Sequence, residues 1–210
     1  MRITVGMLKG GASRTTTAVY LALAEWRRSG GPVLLVDADQ GNGTALEWHE
    51  DAGDAWPEEV EVVFWPSSNL ARRVGRLVGG DASVVIDTGN EAAAIRAGLE
   101  ATDHLVIPIA PTGPETARFR PTLEAAAEVG ARKSIEVSVL VTRAVANTRS
   151  LAGAREALAG VAGELGLHIL EAVVPRLERI ANAYGTVPDD LAPYSEALEE
   201  LHGIELEGRS

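Results

Sequence analysis

The chain of 210 residues contains no cysteine, which excludes a disulfide framework and any metal site built on thiolates. It has no apolar run close to the roughly 20 residues that a membrane-spanning helix needs. Glycines interrupt the N-terminal region at once, so the basic and apolar segments of a secretory signal are absent there. The sequence therefore predicts a cytoplasmic protein without a membrane partner.

Positive charge is also scarce, because 19 Lys and Arg residues stand against 30 Asp and Glu residues and give a net charge of −11. Contacts with nucleic-acid phosphates require clustered Lys and Arg, so this balance argues against nucleic acid as an obligatory partner. Several arginines nevertheless fall near the ends of late predicted strands or in the helices after them: Arg143, Arg149, Arg155, Arg176 and Arg179. They form either a basic face or an ordinary solvated surface with ion pairs.

Hydrophobic residues make up 46% of the chain and charged residues 23%, a balance that suits a packed α/β protein. Short, continuously apolar runs predict strands at 3–7, 32–36, 60–64, 84–86, 105–109, 135–142 and 168–174. Segments with helical spacing separate them, including 15–28, 70–78, 91–101, 115–128 and 152–165. This alternation predicts an α/β fold with one doubly wound, mostly parallel sheet flanked by helices. No repeat, linker or low-complexity segment suggests a boundary, so residues 1–210 are predicted to form a single domain.

A glycine-containing turn connects the first predicted strand to the first predicted helix. Glycines allow a backbone to turn its amides inward, and the helix start adds a partial positive charge. Lys9 and Arg14 supply full charges, while Thr15 or Thr16 supplies a hydroxyl that can reach a magnesium ion. The order of strand, turn and helix predicts a phosphate site, with an ordinary connecting turn as the alternative.

Acidic residues close two of the predicted strands. Asp37 and Asp39 follow the second strand, and Asp87 follows the fourth. Ligands of such sheets bind at the carboxyl ends of the strands. A turn that starts at Asp39 lets both of the first two carboxylates approach one site, although acidic residues also end strands for solubility alone.

Eight consecutive residues of the turn carry a resemblance to a known family. These residues are Lys9, Gly10, Gly11, Ala12, Ser13, Arg14, Thr15 and Thr16. They are similar to K-G-G-x-G-K-[ST]-[ST], the deviant Walker A box of the ParA/MinD family of P-loop ATPases. Ser13 replaces a glycine, and Arg14 replaces the lysine that the family places between the β- and γ-phosphates. The turn at Asp37 resembles the family's D-x-D-P-Q-G box without its proline, and Asp87 resembles its Walker B carboxylate.

The resemblance extends over about residues 1–202, and the short chain is most similar to the short plasmid-partition ParA proteins such as ParF. It implies ATP, ADP and Mg²⁺ as cofactors, bound by the eight residues of the box. The magnesium contacts that it implies are Thr15, Asp37 and Asp87. The catalytic residues that it implies are Lys9, Asp37 and Asp39. The neighbours of the adenine that it implies are Arg143 and Pro175.

For function, the resemblance implies a partition ATPase that forms a homodimer with ATP and hydrolyses it slowly during the segregation of plasmids or other DNA. Lys9 of each subunit would reach the phosphates of the other. The expected partner is a small, DNA-bound protein of the ParB type. Non-specific DNA binding by the dimer would make the protein nucleoid-associated.

Two alternatives stay open. Ser13 and Arg14 depart from the P-loop pattern, which favours a nucleotide-binding regulator with little or no hydrolysis, because arginine is a broad planar fork and lysine a compact charge. An amide-forming P-loop enzyme, similar to dethiobiotin synthetase, would require a substrate pocket with residues that bind a carboxylate. The sequence offers no clear candidate for them.

Overall fold

The computed structural model describes residues 1–77 and 82–208, and a sheet of seven strands runs through it. The strands are β1 (Arg2–Val5), β2 (Val33–Ala38), β3 (Val60–Phe64), β4 (Ser83–Thr88), β5 (His104–Ile109), β6 (Glu136–Ala144) and β7 (His168–Pro175). Their spatial order is β3-β2-β4-β1-β5-β6-β7, and every neighbouring pair is parallel. The predicted doubly wound α/β fold is confirmed.

Helices cover both faces of the sheet. They are α1 (Arg14–Ser29), α2 (Thr44–Ala52), α3 (Leu70–Leu77), α4 (Ala92–Ala101), α5 (Gly113–Gly130), α6 (Arg149–Leu165), α7 (Glu178–Ala181) and α8 (Tyr194–Gly208). On one face α1 packs against α2 and α8, and on the other α4 lies between α3 and α5. None of the helices in the described ranges is long and apolar enough to cross a bilayer.

The central strands are buried on both sides, as their continuous apolar runs predict. In β2, Leu35 belongs to the core beneath α1, whereas its neighbours Leu34 and Val36 pack with Leu70 of α3 on the opposite face. Successive side chains of a strand point to opposite faces, so a strand covered on both sides has no polar alternation.

The order of the strands places a crevice at the carboxyl end of β1. The helix after β1 lies on one face, while α4 and α5, which follow the neighbouring strands β4 and β5, lie on the other. Ligands of doubly wound sheets bind at such a switch point. The predicted phosphate loop is the segment that leaves β1 there.

Most element boundaries differ from the predicted ones by only one or two residues. The helix predicted at 152–165 begins three residues earlier, at Arg149, because the Thr148 hydroxyl caps it by accepting from the Leu151 N–H at 3.3 Å. The helix predicted at 70–78 is observed over Leu70–Leu77, and Val78 lies outside the described residues.

Candidate nucleotide site

The loop between β1 and α1 depends on two residues with left-handed backbone geometry. Gly11 has φ 71°, and Ser13 has φ 60° and ψ 25° immediately before the helix. A non-glycine residue in this region costs on the order of 1 kcal/mol. Ser13 therefore departs from the family pattern in its identity but keeps a backbone conformation that glycine adopts most easily.

Arg14 turns its side chain inward beneath the loop and is only 7% exposed. Its Nε donates to the carbonyl of Thr88 at 2.8 Å, and its Nη1 donates to the carbonyls of Met7 at 2.9 Å and Lys9 at 2.6 Å. Its Nη2 lies 3.6 Å from Oδ2 of Asp39. The guanidinium thus joins the loop to the end of β4 and to the turn after β2.

This arrangement differs from the role that the resemblance implies for the position. The hydrogen bonds of Arg14 go to protein carbonyls, so a phosphate contact would require some of these bonds to open. Contact between Arg14 and phosphate therefore stays a prediction. Sequence reasoning missed the internal role, since carbonyl acceptors can belong to any residue type.

Asp87 is the buried carboxylate at the end of β4, and neither of its oxygens has a well-formed hydrogen bond. Burial, together with the nearby carboxylates of Asp37 and Asp39, raises the pKa of Asp87 to about 7. The Thr15 hydroxyl and the charge of Arg14 offset this rise only in part. An unpaired buried carboxylate among other carboxylates is a site that a cation stabilises.

A hydrated magnesium ion fits this set of residues. Within the described ranges, no three His, Asp or Glu side chains are close enough to enclose a metal by themselves. Magnesium usually keeps several waters and takes one or two carboxylates together with phosphate oxygens. Asp87 and the hydroxyl of Thr15 are the groups best placed to hold it.

Asp37 has a structural role that the sequence did not reveal. Its Oδ2 accepts from the backbone N–H groups of Ala45 at 2.8 Å and Leu46 at 3.1 Å, in the first turn of α2. Its Oδ1 accepts from the N–H of Asp39 at 3.1 Å. Burial raises the pKa of Asp37 even though these hydrogen bonds lower it. Asp37 therefore anchors α2, and its magnesium contact and catalytic role stay predictions.

Asp39 begins the turn after β2 and faces the end of β4. Its Oδ1 accepts from the N–H of Gly41 at 3.0 Å, and its Oδ2 accepts from the Asn42 side chain at 3.1 Å. A Cβ at Gly89 would lie only 3.1 Å from Asp39 Oδ1, so the two turns are in close contact. The expected turn does bring Asp39 and Asp37 toward Asp87.

Two cavities lie at the carboxyl ends of the strands. One of about 330 Å³ is lined by the loop and by residues from the ends of β6 and β7, among them Ser13, Thr15, Thr16, Arg143 and Pro175. The predicted neighbours of the adenine thus share a cavity with the predicted phosphate contacts. Another cavity, of about 290 Å³, lies at the ends of β2 and β4 beside Asp39.

Lys9 begins the eight-residue box. It is half-buried, and its Nζ lies 3.5 Å from the carbonyl of Gly10. Arg14, not Lys9, occupies the interior of the loop. The contact of Lys9 with the phosphates of a second subunit stays a prediction.

The arginines of the predicted basic face are not equivalent. Arg155 pairs with Glu171 at 3.3 Å, and Arg179 pairs with Asp190 at 3.0 Å. Arg149 is exposed, as is Arg176. The ion-pair interpretation fits Arg155 and Arg179, and DNA binding stays a prediction.

Comparison with known proteins places the chain among proteins with this fold. No protein-family model matches it. A curated relative, the maintenance of carboxysome distribution protein A of Gloeobacter kilaueensis, is 40% identical over 105 residues, which cover 49% of this chain and 46% of the relative. The chain thus matches less than half the length of that relative.

Solved structures match over nearly the whole chain. The McdA(D38A)–ATP complex of Cyanothece has a TM-score of 0.73 and 22% identity, with 97% of this chain and 96% of that one covered. A plasmid partition protein of Borrelia burgdorferi bound to AMPPNP has a TM-score of 0.68 and 15% identity, with 98% of each chain covered. The fold that the resemblance to the ParA/MinD family implies is confirmed.

The fold of the ParA/MinD family is shared by proteins of another kind. Cobyrinic acid a,c-diamide synthase of Mycobacterium smegmatis, with ADP and magnesium bound, has a TM-score of 0.72 and 20% identity, with 99% of this chain and 97% of that one covered. Identities this low establish the fold alone. The choice between partition and amide formation therefore depends on the residues of the site.

Proposed function

We propose that the chain is a ParA-type ATPase that binds ATP with Mg²⁺ in the loop after β1 and hydrolyses it slowly. The observation that carries the proposal is the unpaired, buried carboxylate of Asp87 beside Thr15 at the switch point of the sheet. When bound, magnesium would neutralise charge on the transferred phosphoryl group. Asp87 and Thr15 would hold it, and the loop amides before α1 would bind the phosphates.

The remaining predicted residues take definite places in this proposal. Asp39 would orient the attacking water, because it lies between the loop arginine and the end of β4. Arg143 and Pro175 would border the adenine in the cavity of about 330 Å³. Lys9 would reach the phosphates of a second subunit, so that ATP closes a homodimer.

The cargo of such an ATPase is a larger assembly or a replicon. The relatives that support this are a carboxysome distribution protein and a plasmid partition protein. We place a small, DNA-bound partner of the ParB type at the dimer, together with weak non-specific DNA contacts from exposed arginines such as Arg149 and Arg176. With DNA bound in this way, the protein would associate with the nucleoid.

A nucleotide-binding regulator with little hydrolysis is the second candidate, and Arg14 supports it. Its hydrogen bonds to three carbonyls hold the guanidinium inside the loop. Lysine, the residue that the family places here, carries its charge on a flexible stem and can follow the phosphates. A chain with Arg14 would then bind ATP as a signal and release it unchanged.

Amide formation has less support. The cavity of about 290 Å³ is the candidate substrate pocket, and its lining within the described ranges includes neither Lys nor Arg. Asp39 and Glu91 give it negative charge instead. A substrate carboxylate would find no cationic partner there, so we do not propose this reaction.

ATP turnover and ATP affinity, measured with and without Mg²⁺, test the proposal on three proteins: the parent, Asp39→Asn and Arg14→Lys. For a ParA-type ATPase, the parent hydrolyses ATP only with Mg²⁺. Asp39→Asn then lowers turnover by about 100-fold while affinity changes little, since it would orient water rather than bind nucleotide.

The outcomes separate the two candidates. Binding without turnover in the parent, with turnover gained by Arg14→Lys, identifies the regulator. If neither protein binds ATP at millimolar concentration, both candidates are wrong.

A further inference from the structure

Aromatic side chains line the cavity that contains the loop residues Ser13 and Thr15, and together they form an aromatic wall. The chain has only three tyrosines, and two of them, Tyr184 and Tyr194, line this cavity together with Trp48. The third, Tyr20, stacks behind them, with its ring centroid 4.6 Å from that of Tyr194 and 6.4 Å from that of Trp48. In a chain with only 4% aromatic residues, Trp48 and all three tyrosines thus lie in or directly behind one cavity.

Tyr184 is the exposed member of the wall, and its neighbours fix its ring. The residue is 42% exposed, and the centroid of its ring lies 5.6 Å from that of Trp48, at an interplanar angle of 52°. Its hydroxyl donates to Oε2 of Glu47 at 3.1 Å, and Trp48 Nε1 donates to the carbonyl of Thr186 at 2.7 Å. A large ring that is both exposed and held in place has already lost the conformational freedom that binding would cost.

A second observation points to a ligand in the same cavity. Thr142, at the end of β6, lines it and is completely buried, yet its hydroxyl oxygen has no hydrogen-bond partner within the described ranges. Leaving a buried hydroxyl unpaired is destabilising, and native proteins rarely do so without an ordered water or a bound group to satisfy it. The cavity therefore combines an aromatic wall, a polar group without a partner and residues of the phosphate loop.

We propose that Tyr184 stacks on the base of a bound purine nucleotide and that the Thr142 hydroxyl hydrogen-bonds its nucleoside part. This assignment rests on the proposed nucleotide-binding function and identifies what grips the nucleoside. Stacking on an aromatic side chain tolerates any base, whereas a hydrogen bond from a single hydroxyl also orients the nucleoside. The phosphates of the ligand lie at Ser13, Thr15 and Thr16.

Calorimetric titration of Mg-ATP, Mg-ADP and Mg-tripolyphosphate tests the proposal, because tripolyphosphate has the phosphates without the nucleoside. We expect Tyr184→Ala to weaken both nucleotides by about tenfold and to leave tripolyphosphate unchanged. Tyr184→Phe keeps the ring and should stay within about twofold of the parent. Phe64→Ala is the matched control, since Phe64 is similarly exposed, at 41%, and does not line the cavity.

Thr142→Val removes the hydroxyl at nearly constant shape. It should weaken ATP several-fold, leave tripolyphosphate unchanged and raise the melting temperature of the nucleotide-free chain, because the unpaired group is gone.

Equal ATP affinity for the parent and Tyr184→Ala overturns the stacking role, as does an equal loss of nucleotide and tripolyphosphate. Unchanged ATP affinity in Thr142→Val overturns the role of the hydroxyl. A parent that binds neither ATP nor tripolyphosphate contradicts the proposed function itself, which keeps the two failures distinguishable.

Discussion

At the scale of the residue, Asp87 is a carboxylate whose charged form the fold destabilises. In the folded chain burial raises its pKa to about 7 from an ordinary value of 3.8. Between these two values the folded chain keeps a proton that the unfolded chain has released, so stability falls as the pH rises through the window. The full loss corresponds to about 4 kcal/mol once the pH exceeds the folded pKa.

Asp87→Asn should flatten this part of the stability profile, since an amide keeps the shape and does not titrate. We expect the free energy of unfolding of the variant to increase relative to that of the parent as the pH rises from about 4 to about 7. Urea unfolding of the nucleotide-free chains at several pH values measures the difference, with the exposed Asp54→Asn as control. Parallel profiles for the parent and Asp87→Asn would show that Asp87 is already charged in the folded chain.

Arg14 shows where residue-level prediction ends. Its position in the loop was evident from the glycine turn and the start of the helix. Its partners were not, because the carbonyls of Met7, Lys9 and Thr88 come from segments up to 74 residues away and carry no mark in the sequence. The same holds for Asp37, whose hydrogen bonds to α2 depend on how the turn closes.

At the scale of the element, the edge of the sheet is protected by α8. Strand β7 is an edge strand, and its register against β6 shifts between Val139 and Val141. There Glu200 of α8 accepts from the N–H groups of Glu171 at 2.7 Å and Ala172 at 2.8 Å. The carboxylate thus accepts hydrogen bonds from two backbone N–H groups at the irregular part of the pairing between β6 and β7.

Glu200→Ala should therefore destabilise the chain by about 1–3 kcal/mol, because two donors lose a charged acceptor. Glu200→Gln keeps one acceptor oxygen and should fall between Ala and the parent. Urea unfolding near pH 7 measures both. Glu196→Ala, at an exposed position one turn earlier on α8, should stay within about 0.5 kcal/mol of the parent. A loss for Glu200→Ala no larger than for Glu196→Ala would mean that water replaces the carboxylate.

Elements were easier to predict than contacts. The seven strands follow from short apolar runs, because a strand buried on both faces cannot alternate. Strand ends also located Asp87 and the ends of β6 and β7, where Arg143 and Pro175 share a cavity with the loop. The aromatic wall escaped notice, since Trp48 and Tyr184 are 136 positions apart and only the parallel crossovers bring them together.

At the scale of the whole molecule, the proposed function requires two chains of net charge −11 to meet. Their mutual repulsion acts over roughly a Debye length, about 8 Å at physiological salt, so a dimer needs a compensating attraction at close range. The phosphates of ATP add negative charge. In the proposed dimer, Lys9 of each chain would balance part of that charge at the phosphates of the other chain.

We expect light scattering with Mg²⁺ and a non-hydrolysable ATP analogue, at about 0.15 M salt, to show a doubling of mass for the parent and none for Lys9→Gln. The chain offers a matched control, because its only other lysine is Lys133, which pairs with Asp103 at 2.8 Å. Lys133→Gln makes the same chemical change outside the loop and should still dimerise. The analogue must bind to Lys9→Gln as well, which calorimetry checks, so that loss of the dimer is separated from loss of the ligand. If Lys9→Gln binds the analogue and dimerises like the parent, Lys9 does not act across the interface. If the parent stays monomeric with the analogue bound, the nucleotide switches some other property of the chain.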